Sequence, residues 1–579
     1  MKRRTKWIIA LSILILAVIS LKWLPSTNTT TSDTSDITSL EIDKAMYQPG
    51  EPVTFSATLN QPSSELTIHY YHLSERIETE TIEAPSKDAT WTWTPPKEDY
   101  KGYLVKVSTP SSTKTIGVDV SSTWTKFPRY GFLSHFEEMD PSKQQDTIKQ
   151  LNRYHINGLQ YYDWHDEHHQ PLKTDGAKPL SSWANIANQP AVYDTIDRYI
   201  QLADDRNMAS MAYNLLYGAL QQSEQDGVKP EWFMYKDDQG NAYDYHPLPE
   251  NWKSHVYLTD PTNVGWQQYL YREMNHVFSQ LPFDGWHIDQ LGDRGKVYTK
   301  EGEPIDLASS YNGFIQNAQA KMPDQTLVMN AVNQYGQSSI AQSTVPFLYT
   351  EVWEPYQTYG DLYNIIKEND TYNKNSVLAA YMNYDLANED GQFNKPGVLY
   401  TDALILASGG AHIELGEHML QKEFFPHDKL QMGESLQDQL VHYYDFMVAY
   451  ENLLRGDVTE APLEMSTKDW VQLSSQPQQG KLFSFAKTNE SSKIIHVLNY
   501  FDASHMKWRD SNGTQQQPTT KHDLELSIKE ERPVEHVWVA SPDWNGGAPS
   551  KLSFTQEEGE ITVTLPEIKY WDMVVLEYK

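Results

Sequence analysis

Between residues 127 and 454 the chain alternates short apolar runs with longer helical patterns, and no other feature constrains its fold as strongly. Eight candidate strands fall at 130–136, 158–164, 209–217, 285–291, 326–333, 347–353, 376–384 and 411–416. Helical patterns lie between most of them. In the clearest, before the fourth strand, Trp266, Leu270, Met274, Val277 and Leu281 share one face; Asp260 is placed to cap it and Pro261 suits its first position. Asp140-Pro141 opens another, carrying Ile148 and Leu151. Eight such units in about 330 residues predict a (β/α)8 barrel with some enlarged loops. A doubly wound open sheet is the alternative, but no Gly-rich phosphate loop follows any strand.

The flanks read differently. Residues 40–122 alternate with period two, as in Val53-Thr54-Phe55-Ser56-Ala57 and Thr90-Trp91-Thr92-Trp93, and turn signals such as Gln48-Pro49-Gly50 separate the runs. This predicts an N-terminal immunoglobulin-like β-sandwich. After Arg455 short strands return at 481–486, 493–498, 537–540, 560–565 and 573–578, predicting a C-terminal all-β sandwich of Greek-key type over 455–579. The chain is therefore expected to be multidomain, with the barrel over 123–454 carrying any catalysis.

At the start, Lys2, Arg3 and Arg4 precede an apolar run over 7–21, the pattern of a secretory signal. The run is short of the ~20 residues that span a bilayer, yet no small-x-small cleavage site follows it. Residues 1–25 thus read as a signal peptide or an uncleaved signal anchor, which would be a membrane tether. Residues 26–39, rich in Ser, Thr and Asp, read as a flexible linker. Either way the remainder is expected to be secreted or held at the cell surface.

Composition then excludes whole classes. The chain has no cysteine, so disulfides, thiolate metal sites and cysteine nucleophiles are absent. Its net charge of −31 argues against a nucleic-acid partner, which demands clustered Lys and Arg. The 36 Tyr and 17 Trp suit a surface that meets a polar, uncharged ligand.

A barrel carries its chemistry where strands end and βα loops begin. On the fourth strand Asp289 is the acid at that end. Asp284 lies before the strand and reads as structural, and Asp293 lies in the loop beyond. The sixth strand supplies Glu351, which shares a face with Trp353; Glu354, just before Pro355, is the second choice. Two carboxylates from different strands facing one cavity suit glycosidic cleavage, one as nucleophile or base and the other as proton donor. The exit of the second strand, Asp163-Trp164-His165-Asp166-Glu167-His168-His169, reads as a hydroxyl-binding subsite, since no HExxH spacing supports a metal. Trp164, Trp286 and Trp353 are candidates to stack on sugar rings. Asn214, Asn330, Asn333 and Asn383 are candidates to bind hydroxyls. The expected substrate-binding set is Asp163, Trp164, His165, Asn214, His287, Trp353 and Asn383, with no cofactor and no metal.

At these segments the chain resembles glycoside hydrolase family 66, which holds dextranases and cycloisomaltooligosaccharide glucanotransferases. The pieces that carry the resemblance are Tyr130-Gly131-Phe132, Gln160-Tyr161-Tyr162-Asp163-Trp164-His165, Phe283-Asp284-Gly285-Trp286-His287-Ile288-Asp289 and Leu348-Tyr349-Thr350-Glu351-Val352-Trp353-Glu354. The resemblance implies Asp289 as nucleophile, Glu351 as acid/base, and endo-cleavage of α-1,6-glucan such as dextran with retention. Cyclising members carry a carbohydrate-binding module inserted in the catalytic region. The span from Glu351 to Leu454 leaves no room for one, so the resemblance favours hydrolysis. Two other readings stand beside it: a glycosidase for another α-linkage, and a non-catalytic carbohydrate-binding surface protein.

Overall fold

A computed structural model of the chain describes residues 37–579 apart from 85, 177, 469 and 470. The expected signal or anchor, and most of the expected linker, lie outside the described residues. The last three linker positions do not behave as a tether. They belong to the strand Ile37–Ile42, which pairs antiparallel with Val53–Leu59. Among the described residues no helix is long and apolar enough to cross a membrane.

The centre is built from eight parallel strands, each followed by a helix. The strands are β1 (Tyr130–Leu133), β2 (Gly158–Tyr161), β3 (Ala209–Leu215), β4 (Gly285–Asp289), β5 (Thr326–Met329), β6 (Leu348–Glu351), β7 (Ser376–Ala379) and β8 (Ala411–His412). The helices are α1 (Pro141–Arg153), α2 (Tyr193–Asp204), α3 (Val264–Gln280), α4 (Leu307–Lys321), α5 (Gln337–Ala341), α6 (Tyr359–Asp370), α7 (Lys395–Ser408) and α8 (Glu434–Ala449). Strands β1 to β5 form one parallel arc in chain order, and β6 to β8 another. A parallel bridge between Asn330 and Tyr349 joins β5 to β6, and the Phe132 amide donates to the Leu415 carbonyl at 3.1 Å, joining β8 back to β1. The ring is closed, and no strand edge is left open in it.

All eight expected strands are present, and every one ends earlier than its apolar run. The cause lies just beyond three of them, where Asp163, Asn333 and Asn383 have φ of 50°, 51° and 52°. Asp and Asn tolerate this left-handed conformation because their short polar side chains bond locally, so they mark the turn that ends the strand. Asp140 caps α1 as expected, accepting from the Ser142 amide at 2.8 Å. The expected start of α3 is three residues early. Asn263 is its cap, and Asp260 instead closes the preceding turn onto the Thr262 amide and hydroxyl. Its apolar face is as expected, with Trp266, Leu270, Met274 and Val277 all buried.

Two antiparallel sheets precede the barrel and share one apolar core that includes Phe55, Tyr70, Trp91 and Val105. Two more sheets, antiparallel but for one short pair, follow it around Leu482, Val497, Leu526 and Val574. The nine-residue strand Lys521–Lys529 among them escaped the sequence reading despite its alternation. A buried ion cluster fastens the N-terminal sheets to the bottom of the barrel. The Arg129 guanidinium reaches Asp119 Oδ2 at 2.6 Å and Glu451 Oε2 at 3.3 Å, and all three side chains are fully buried. Removing one partner from such a cluster costs about 3–5 kcal/mol, because the remaining charges stay buried and uncompensated.

Candidate active site

A strand of a barrel sends alternate side chains inward. On β4 the inward residues at the C-terminal end are His287 and Asp289; on β6 they are Tyr349 and Glu351; on β3 they include Tyr213. These side chains, with Asp163 beyond β2 and Tyr381 beyond β7, line a cavity of about 310 Å3 at the C-terminal mouth.

The two acids meet there through one amide. Asn330, just after β5, donates from a single Nδ2 to Asp289 Oδ1 at 2.8 Å and to Glu351 Oε2 at 3.0 Å. Its Oδ1 accepts from the Glu351 backbone amide at 3.1 Å, which fixes the orientation. Laid end to end, those two bonds fall short of the roughly 6.5 Å at which the carboxyl spacing of inverting glycosidases begins. Tyr213 donates to Asp289 Oδ2 at 2.8 Å and the Gln290 amide to Oδ1 at 2.8 Å. Trp353 Nε1 and the Tyr381 hydroxyl both donate to Glu351 Oε1 at 2.9 Å.

Both acids are half-buried at the cavity wall. Burial raises Asp289 above the usual carboxylate range, against the pull of its hydrogen bonds. Glu351 is pushed up to about 7, first by burial and then by the charge of Asp289. Asp163 is pushed up to about 8 by the same two causes. Two carboxylates this close cannot both ionise freely, so one holds the proton while the other holds the charge. His287, whose Nδ1 lies 3.1 Å from the Tyr130 hydroxyl, is pushed down to about 3 by burial and is a neutral part of the floor.

The remaining expected site residues divide. Asp163, His287 and Trp353 line the cavity, and Arg509 from the C-terminal sheets stacks on the Trp353 ring at 4.8 Å. Trp164 and Trp286 do not line it. Each is fully buried away from it, with its indole N–H on the Tyr213 and Asn214 carbonyls respectively. His165 is also buried off the cavity, its ring 4.4 Å from that of His168. Asn214 alternates outward on β3 and braces the β2 exit, donating to the His168 carbonyl at 2.8 Å. Asn383 is a buried clamp on the C-terminal sheets, donating to the Asp510 carbonyl at 2.7 Å. Asn333 steadies the β6 exit by accepting from the Trp353 amide at 2.7 Å.

Glu354 stands outside the cavity, exposed, its carboxylate paired with the Gln357 amide. Glu354→Gln is therefore expected to leave turnover within about twofold of the parent, as surface changes usually do. A steady-state assay of that variant checks it, and a collapse of kcat would move the acid role away from Glu351.

Sequence reasoning missed the roles of Asn330, Tyr213 and Tyr381 as holders of the acids. Tyr213 was legible in principle, because it shares inward parity with the strand end. Asn330 stood among the hydroxyl binders, but its contact with both acids needs the closure between β5 and β6. Trp252 and Phe424, whose rings meet at 5.1 Å across the mouth, come from two long loops and carry no local signal.

Comparison with known proteins points the same way. The family model described as glycosyl hydrolase family 66 matches residues 42–575. A cycloisomaltooligosaccharide glucanotransferase of Niallia circulans is 27% identical, the match covering 97% of this chain and 75% of that protein. A dextranase of Streptococcus salivarius is 23% identical over 82% of this chain and 67% of its own length. Among solved structures, a Paenibacillus sp. cycloisomaltooligosaccharide glucanotransferase complexed with cycloisomaltoheptaose matches with a TM-score of 0.88 at 24% identity, covering 93% of this chain and 99% of that one.

Proposed function

Since the chain belongs to glycosyl hydrolase family 66, we propose that it cleaves internal α-1,6-glucosidic bonds of dextran with retention, releasing isomalto-oligosaccharides. The observation that carries this reading is the single Asn330 nitrogen shared by Asp289 and Glu351. That shared donor brings the near oxygens of the two acids closer than the spacing of inverting glycosidases, which supports a double displacement. Asp289, held by Tyr213 and Asn330, attacks the anomeric carbon as the bond to the leaving oxygen breaks. Glu351 gives that oxygen its proton. In the second half Glu351 takes a proton from water, the water oxygen bonds to the same carbon, and Asp289 leaves with its charge restored.

One observation favours hydrolysis over cyclisation. The alignments with two Niallia circulans glucanotransferases run over 724 and 737 residues, more than the 579 of this chain, so those relatives carry sequence that this chain lacks. Another favours transfer as a second reading, since those glucanotransferases are more similar to this chain than the dextranase. The two share the glycosyl-enzyme and differ in what attacks it, water or a sugar hydroxyl.

Incubation with dextran and mass analysis of the products separates them. Linear isomalto-oligosaccharides are expected from the first minutes. Products lighter by one water, and therefore cyclic, would establish transfer instead, and unchanged dextran beside a cleaved α-galactoside or α-1,4-glucan would overturn the substrate assignment.

A further inference from the structure

Away from the cavity, on the outer side of the barrel wall, three ligand-type side chains converge in a fully enclosed place. His412 ends β8, Glu414 follows two residues later, and Asp402 faces them from α7; they are 3%, 2% and 2% exposed. The His412 ring is oriented from behind, its Nε2 donating to the Ala380 carbonyl at 2.8 Å. That leaves Nδ1 pointing at Asp402 Oδ1, 2.8 Å away, and at Glu414 Oε2, 3.4 Å away. Tyr444 of α8 donates to the other Glu414 oxygen at 3.1 Å and fixes that carboxylate too. Among the described residues Asp402 Oδ2 and Glu414 Oε2 have no hydrogen-bond partner at all, and no lysine or arginine forms an ion pair with either acid.

Buried polar atoms are paired almost without exception, so two bare carboxylate oxygens in one enclosure call for an explanation. A proton on Nδ1 satisfies Asp402 Oδ1 only. It leaves both bare oxygens as they are. A divalent ion would take lone pairs from Nδ1, from one Asp402 oxygen and from Glu414 Oε2 together, and favour the ionised form of both acids. A four-coordinate ion with ~2.1 Å bonds to nitrogen and oxygen sets its ligand atoms about 3.4 Å apart, the separation already present between Nδ1 and Glu414 Oε2, while Asp402 Oδ1, 2.8 Å from Nδ1, would draw back to ligate. The outer arrangement also fits, because a ligating histidine usually donates its second ring N–H to a backbone carbonyl.

We propose that Asp402, His412 and Glu414 form a structural site for one divalent transition-metal ion of the zinc type, stapling the last barrel strand to α7. The imidazole selects against purely oxygen-loving ions such as Mg2+.

The test uses the full chain, dialysed against a chelator and then titrated with Zn2+ or Co2+. One equivalent of retained metal per chain is expected, with a rise in Tm of several degrees and a visible Co2+ absorption. Asp402→Asn and Glu414→Gln are each expected to abolish the retention and the rise. A parent chain that retains no metal and melts at the same temperature with and without Zn2+ overturns the site, as does a full response surviving in both variants. Two other histidine–carboxylate groups, Glu167–His169–Asp226 and His135–Glu417–His418, serve as controls if those variants do not fold. His169→Ala and His418→Ala are expected to keep the full response, and loss of it in either reassigns the ion and overturns the proposal.

Discussion

Asp289→Gly is expected to lower kcat on dextran about 10,000-fold or more, because it removes the carboxylate proposed to bond to the anomeric carbon. The loss is specific to the chemistry. Tyr213, Asn330 and the Gln290 amide, which now hold the carboxylate, remain to bind an anion in its place. Azide fits that vacancy. Added azide is expected to restore turnover in part and to yield a β-glycosyl azide, since it attacks from the face Asp289 occupied. The product's anomeric configuration by NMR is the decisive measurement. A variant that keeps its activity within tenfold, or an α-azide, would place the nucleophile elsewhere.

Glu351→Gln is the second large effect, a fall of about 100- to 10,000-fold on dextran. The leaving group decides its size. A glucoside whose phenol departs without protonation is expected to lose far less, because only the deglycosylation half still calls on the missing base. The parent's pH profile carries the same signature. Glu351 must hold a proton to give one away, so the rate is full below its pKa and declines as pH rises through about 7. The nucleophile imposes the opposite limb, since Asp289 must be ionised to attack. The variant is expected to lose the upper decline while keeping the lower one. A profile whose basic limb survives in Glu351→Gln would assign that limb, and the proton, to another group; Asp163, pushed up to about 8, is the one nearest to hand.

Much of this was legible before any coordinates. Strand count, barrel class, the α1 cap and the placement of two acids at the cavity all follow from local pattern, because period and strand end are properties of short stretches. What failed were inferences that treated "near a strand end" as "facing the cavity". Trp164, Asn214, Trp286 and Asn383 satisfy the first condition and not the second. For Asn214 and Trp286 the parity of β3 and β4 already points them outward, beside the inward Tyr213 and His287. For Asn383 the residue type was misread: a left-handed turn wants Asn for its backbone, whatever the ligand. Arg509 lay beyond any such reasoning, since more than 150 residues separate it from the Trp353 on which it rests.

That arginine ties the acid to the order in which the chain is made. Its guanidinium donates to the Val352 carbonyl at 2.9 Å and to the Tyr381 carbonyl at 3.3 Å, so it clamps the exits of β6 and β7, the two segments that hold Glu351 Oε1. The loop carrying it leaves the strand Ser492–Asn499, and that strand lies against Trp571–Tyr578, which in turn lies against Val534–Ala540. A ribosome has delivered every barrel strand by residue 412, yet the sheet that mounts the clamp lacks its middle strand until Trp571–Tyr578 has followed. Removing Trp571–Tyr578 would leave Asp289 and Glu351 in the chain and take the middle strand from the sheet that mounts the clamp.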